Sequence, residues 1–158
     1  MKNYLQYKNW YSLTSNKLKR KYKKDFPLIC GLIASISPQY SIKRNMRIAK
    51  LVYNDFKKYG DEFIRDLEYN RMYNIKKYKI LNAHYYNILR CLKHDFKSDL
   101  ELSGFKVNAF YHNLLGDLDN YVTIDTWMCR FFNHNKAWIN KGDYIRYSKI
   151  IVNLAKKE

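Results

Sequence analysis

The 158 residues are enough for one domain with a real core, and 47% apolar content can build it without disulfides. Thirty Lys and Arg against 14 Asp and Glu give a formal charge of +16, which on so small a domain repels itself unless a polyanion is the usual partner. No run approaches the length of a transmembrane helix, Met1–Trp10 is too polar for a signal peptide, and three scattered cysteines exclude a disulfide framework.

Nucleic acid is the commonest polyanionic partner, with an anionic membrane surface or an acidic protein as the others. An AT-rich coding bias accounts for part of the Lys and the 16 Tyr. It does not account for the scarcity of Asp and Glu, whose codons tolerate the same bias. Cys30, Cys91 and Cys129 lack metal-ligand spacing, as do His84, His94, His112 and His134. No metal and no cofactor are therefore expected, and a reducing, cytoplasmic compartment suits the free thiols.

Two prolines and five glycines are few breakers, so the chain reads as all-α. In chain order, a first helix covers about Tyr4–Lys23. Pro27 suits the first turn of a second, Pro27–Ile36, which is apolar nearly all round and so belongs at the centre of the domain. Ser37-Pro38-Gln39 interrupts it. A third helix, Ser41–Tyr59, carries Ile42, Met46, Ala49 and Val52/Tyr53 on one stripe and ends at Gly60. Asp61–Asn70 is short. Lys76–Phe96 is long, with Ile80, Leu81, His84, Ile88 and Leu92 as its core face. A turn-rich passage, Leu100–Phe105, surrounds Gly104 before a helix at Lys106–Leu115. Gly116–Asn120 is a loop, Asp125–Phe132 a helix, and Gly142–Lys157 the last one.

Three places in this order could carry chemistry. Val122-Thr123-Ile124 meets Asp125 where a helix begins. Read alone, Asp125 is first an N-cap that accepts backbone N–H bonds. The same geometry holds a carboxylate ionised and rigid, as an acid–base or electrostatic catalyst needs. Gly104 leads into a second helix start, where backbone N–H groups bind phosphate and Lys106 adds a charge. The Ser37-Pro38-Gln39 corner exposes Gln39 between a buried helix and a basic one bearing Lys43, Arg44, Asn45 and Arg47.

In order and spacing these pieces resemble the helix-hairpin-helix DNA glycosylase superfamily, the endonuclease III-like proteins. Ser37-Pro38-Gln39 resembles that family's Ser-x-Gln corner. Leu102-Ser103-Gly104-Phe105-Lys106 is similar to its Leu-Pro-Gly-x-Gly-x-Lys hairpin in shortened form, without the second glycine. Ile124-Asp125-Thr126-Trp127-Met128-Cys129-Arg130 resembles Val-Asp-Thr-His-x-x-Arg, with Trp127 in place of the His. The likeness spans about Pro27–Phe132 of a single domain, 1–158.

The resemblance implies a compact multi-helix fold. The iron–sulfur cluster of some members needs four cysteines and is absent. It implies Asp125 as catalytic carboxylate, Lys106 as the nucleophile of a bifunctional enzyme, and Gln39 as a wedge in the space left by an extruded base. Lys43, Arg44, Asn45, Arg47 and Gly104 would hold double-stranded DNA, and Trp127, Tyr40, Trp10 and Tyr11 are the candidates to stack on the flipped base. A monomer without membrane contact is expected. The Trp10-Tyr11 pair, the corner followed by Asn45, and Lys106 to Tyr111 also resemble small phage proteins, which implies an infected host cell as the setting. Three other readings fit the residues. The chain could be a basic DNA-binding protein in which Asp125 only caps, a base-modifying enzyme on the same scaffold, or a protein-binding basic face.

Overall fold

The computed structural model describes residues 9–131 and 139–155, and every regular element among them is helical. None of these helices is long and apolar enough to cross a membrane. Helix α1 is Trp10–Tyr22, followed by a 3₁₀ turn at Lys23–Asp25. Helix α2, Phe26–Ser35, carries Pro27 in its first turn, where a missing N–H breaks no helical bond. Every residue of α2 except Pro27 is buried, and α1, α3 (Ile42–Tyr59), α6 (Asn82–Lys93) and α7 (Phe105–Leu115) all pack on it. A Cβ on Gly31 would stand 2.8 Å from the Cys91 sulfur, so glycine is what lets α2 and α6 approach.

Helix α3, Ile42–Tyr59, starts on Ser41, whose Oγ accepts the Arg44 N–H at 3.4 Å, and stops at Gly60 with φ +56°. Its inner face is Asn45, Ile48, Ala49 and Val52. Of the stripe expected from sequence, Ala49 and Val52 are buried and Met46 and Tyr53 pack against the core. Asn45 points inward and Ile42 is left exposed.

Helices α4 (Asp61–Tyr69) and α5 (Arg71–Tyr78) follow, then α6 (Asn82–Lys93). The single helix expected over Lys76–Phe96 is therefore two pieces. Lys79 adopts the left-handed conformation at φ 52°, and the Ile80 N–H returns to the Ile75 carbonyl at 3.0 Å, which closes α5 in the manner of a Schellman cap. The chain then restarts beyond Leu81, whose N–H is taken by His84 Nδ1 at 3.2 Å.

Helix α7, Phe105–Leu115, lies between Gly104 (φ +95°) and Gly116 (φ +104°), two positions that only glycine adopts freely. The turn at Gly104 follows a non-helical passage from His94 rather than the end of a helix, and α6 and α7 each rest on α2. Helix α8 is Thr126–Phe131 and α9 is Lys141–Ala155. The main core surrounds α2. A smaller core of Ala109, Ile124, Cys129, Tyr144 and Tyr147 joins α7, the approach to α8, and α9. All three cysteines are buried and free.

Candidate functional site

The corner between α2 and α3 is fastened from several sides. Ser37 N–H donates to Ala34 at 3.0 Å and Tyr40 N–H to Ser37 at 3.4 Å, a turn that leaves Gln39 exposed with φ 62°. A side chain in this left-handed region is strained, and strain of this kind gathers at functional sites. His84, fully buried on α6, donates from Nε2 to the Pro38 carbonyl at 2.9 Å; its Nδ1 already accepts from Leu81, which fixes the tautomer. Burial lowers the His84 pKa and the Arg44 charge adds to this, against the Pro38 hydrogen bond.

Asn45 is 0% exposed. Its amide N–H₂ group donates to the Ile36 carbonyl at 3.1 Å and the Ser41 carbonyl at 3.0 Å, so it ties the corner instead of reaching DNA from the surface. Tyr40 donates its hydroxyl to the Lys79 carbonyl at 2.7 Å, and Arg44 covers one face of its ring at 3.6 Å while donating to the same carbonyl at 3.3 Å. One face of Tyr40 is thereby already stacked. Lys43 and Arg47 are exposed.

Gly104 sits at the cap position of α7, and Lys106 in its first turn is half-buried. The approach is stapled by two asparagines. Asn87 accepts the Ser103 N–H at 2.8 Å and donates to the Ser103 carbonyl at 3.0 Å, while Asn108 accepts the Leu102 N–H at 2.9 Å.

Asp125 accepts the Met128 N–H at 2.9 Å and so caps α8. The segment that presents it is held by a helix before it and by a helix after it. Asn113 on α7 donates to the Asp117 and Tyr121 carbonyls at 3.0 and 2.7 Å and accepts the Thr123 hydroxyl at 2.7 Å. Tyr144 on α9 donates to the Val122 carbonyl at 2.6 Å and accepts the Ile124 N–H at 3.3 Å. Burial pushes the Tyr144 phenol up to about 12, so it stays a donor.

These three places share one cleft of about 460 Å³. Ser37, Tyr40 and Asn45 line it from the corner, Lys106 and Phe110 from α7, and Thr123, Asp125 and Met128 from the α8 approach. Tyr11 of α1 and Ile42 of α3 complete the apolar lining. The volume and the mixture of apolar walls with a few converging polar groups are those of a small-ligand site. Burial above all, with the nearby Asp125 charge, raises the Tyr11 pKa, so this phenol is a neutral hydrogen-bonding group at the carboxylate's side.

Of the residues expected from sequence, Asp125, Lys106 and Tyr40 line the cleft, whereas Gln39 lies on the exposed turn beside it. Lys43, Arg44 and Arg47 line a neighbouring hollow with Ser41. The Trp127 side chain lies outside the described residues. Tyr11, a stacking candidate from sequence, and Ser37 of the expected corner also line the cleft, whereas Asn113 was not singled out. The partners of Asn113 are Asp117, Tyr121 and Thr123, in a loop whose path back to α7 no local motif marks.

No curated protein and no solved structure matches the chain. Residues 3–156 match a family of unknown function, DUF7178, and with nearly its whole length covered the chain belongs to that family.

Proposed function

We propose that the protein binds double-stranded DNA and acts as a helix-hairpin-helix glycosylase-like enzyme that extrudes one modified or damaged base and cleaves its N-glycosidic bond. The observation that carries this reading is the meeting of Ser37 and Tyr40, Lys106, and Asp125 in one cleft, from segments far apart in the chain. The charge of +16 supports it by supplying sequence-independent grip on phosphates. The strained, exposed Gln39 supports it as the group that would fill the space an extruded base leaves.

In this chemistry the bond between C1′ and the base nitrogen breaks, and the base leaves with the electron pair and takes up a proton. Positive charge develops on the sugar, and the Asp125 carboxylate offsets it. The carboxylate also accepts the proton of the water that adds to C1′. In a lyase variant the Lys106 amine adds to C1′ as the base leaves; the C1′–O4′ bond then opens, O4′ takes a proton from the amine nitrogen, and a protonated Schiff base results.

The test is a panel of duplexes, each with one damaged or modified base, scored for strand cleavage after alkali. Base release by the wild type is expected to fall by about 10²–10⁴-fold in Asp125→Asn, with DNA binding kept. Equal release by the variant overturns the role of Asp125. Borohydride trapping that disappears in Lys106→Ala assigns the nucleophile. The Met128 N–H bond to Asp125 favours a second reading, a basic DNA-binding protein in which the carboxylate only caps α8. Tight, salt-dependent binding with no abasic product on any duplex selects that one.

A further inference from the structure

Two hollows meet at the first turn of α3. The cleft reaches it through Ser41, Ile42 and Asn45 on the inner side. On the outer side a hollow of about 450 Å³ is lined by Ser41, Lys43, Arg44 and Arg47, so Ser41 belongs to both. The two differ sharply in chemistry. The inner one is walled by Tyr11, Ile42, Phe110 and Met128, flat or flexible apolar groups suited to a planar ring. The outer one gathers three cations at the positive end of an 18-residue helix.

At that end Ser41 accepts the Arg44 and Asn45 N–H groups, at 3.4 and 2.9 Å. The N–H groups of Ile42 and Lys43 precede them and have no acceptor within an α-helix. Among the described residues no carboxylate forms an ion pair with Lys43, Arg44 or Arg47. Arg44 is held in place by Tyr40 and the Lys79 carbonyl, so it presents its charge without first having to be ordered. A separate observation points to a ligand on the inner side. Ser37 is 5% exposed, lines the cleft, and its hydroxyl has no hydrogen-bond partner. A buried hydroxyl in that state gains from any ligand edge that meets it.

We infer that the paired hollows bind one nucleotide, with the base in the cleft against Phe110 and the Ser37 hydroxyl, and the phosphate on the first turn of α3 between Lys43 and Arg47. The sugar then crosses Ser41. This deepens the proposed function and rests on it for the source of the nucleotide, a DNA strand; a free nucleotide has the same chemistry. The geometry needs no reaction at Asp125.

The experiment is an NMR titration of the full chain with deoxynucleoside 5′-monophosphates, the matching nucleosides and inorganic phosphate. The Met128 methyl reports the cleft and the Lys43 amide reports the helix turn. A monophosphate is expected to move both signals along one saturation curve, a nucleoside only Met128, and inorganic phosphate only Lys43. The double variant Lys43→Gln/Arg47→Gln should weaken monophosphate binding about tenfold more than the exposed control pair Lys17→Gln/Lys19→Gln, the effect of one charge-assisted hydrogen bond. Nucleoside binding should not distinguish the pairs. Two signals that saturate independently, or nucleosides that bind as tightly as monophosphates, overturn the inference.

A short single strand that competes below the monophosphate concentration identifies DNA as the source; one that does not identifies the free nucleotide. Monophosphate binding of this kind without any duplex binding overturns the proposed function and leaves the inference standing. Duplex binding in which Lys43 and Arg47 matter no more than Lys17 and Lys19 does the reverse.

Discussion

The wall of the cleft that carries Ser37 to Ser41 and the wall that carries Thr123 and Asp125 are fastened by similar devices on unequal foundations. In each, a buried polar side chain from another helix holds the main chain of a short irregular segment. His84 holds Pro38 on the corner. Asn113 and Tyr144 hold residues 121 to 124 on the opposite wall. The corner stands on the main core around α2, but the Asp125 wall stands on the five-residue core that α9 shares. Under the proposed function, the grip on a strand and the placing of the acid therefore draw on partly different supports. The first rests on the centre of the domain, and the second needs the last helix as well as α7.

The largest break in this comparison should come from His84→Ala. It removes both imidazole hydrogen bonds and leaves a hole in the main core, at a cost of about 3–4 kcal/mol in urea-denaturation stability. A loss below about 1 kcal/mol would mean that the corner stands without its lock. Tyr144→Phe should cost less, about 1–2 kcal/mol, since the ring still fills its place and only the Val122 and Ile124 bonds go. Its mark should be selective, with DNA affinity kept and any Asp125-dependent base release reduced. Equal losses of affinity and release would show that the walls are not independent.

A milder probe is pH. Burial lowers the pKa of His84, and lowers that of His112, which stacks on Tyr121 at 3.8 Å, despite the opposing carboxylates of Asp99, Asp117 and Glu101. Below the ordinary imidazole value of about 6.5, the unfolded chain binds protons that the folded one resists. The thermal midpoint should therefore hold above pH 6.5 and fall as pH drops through the folded values. His84→Gln should remove part of that slope, and an unchanged slope would assign it all elsewhere. The smallest effect should come from Gln39→Gly, which relieves the left-handed strain and stabilises the chain by about 1 kcal/mol while weakening duplex binding. Destabilisation would show that the Gln39 side chain supports the corner.

Much of this frame is legible in the sequence because its signals are local. Ser41, Gly60, Gly104, Gly116 and Asp125 mark helix ends by capping chemistry that involves neighbours only a few residues away. The break at Lys79 is not legible, because no glycine or proline marks it. Its stabilising partners, Tyr40 and Arg44, bind the Lys79 carbonyl from 39 and 35 residues away. Tyr144 is hidden for the same reason, since it serves backbone groups 22 and 20 residues before it. Asn45 is a different case. It leads the inner stripe with Ile48, Ala49 and Val52, a spacing open to reading, but the cations on either side drew it to the surface. The candidate site was legible as a set of segments, Tyr11 and the Ser37 corner among them, and only the fold brings them to one cleft.

The fastening of Asp125 by a tyrosine of α9 has a consequence for the life of the gene. A chain truncated ahead of Lys141 keeps the α2 core, the corner and the cations of α3, but loses the hydroxyl that aligns Val122 and Ile124. Under the proposed function, such a product would keep the cations that grip DNA and lose the alignment of Asp125. On that proposal, a frameshift just ahead of Lys141 should yield a competitor of the intact protein, whereas an early one should yield none.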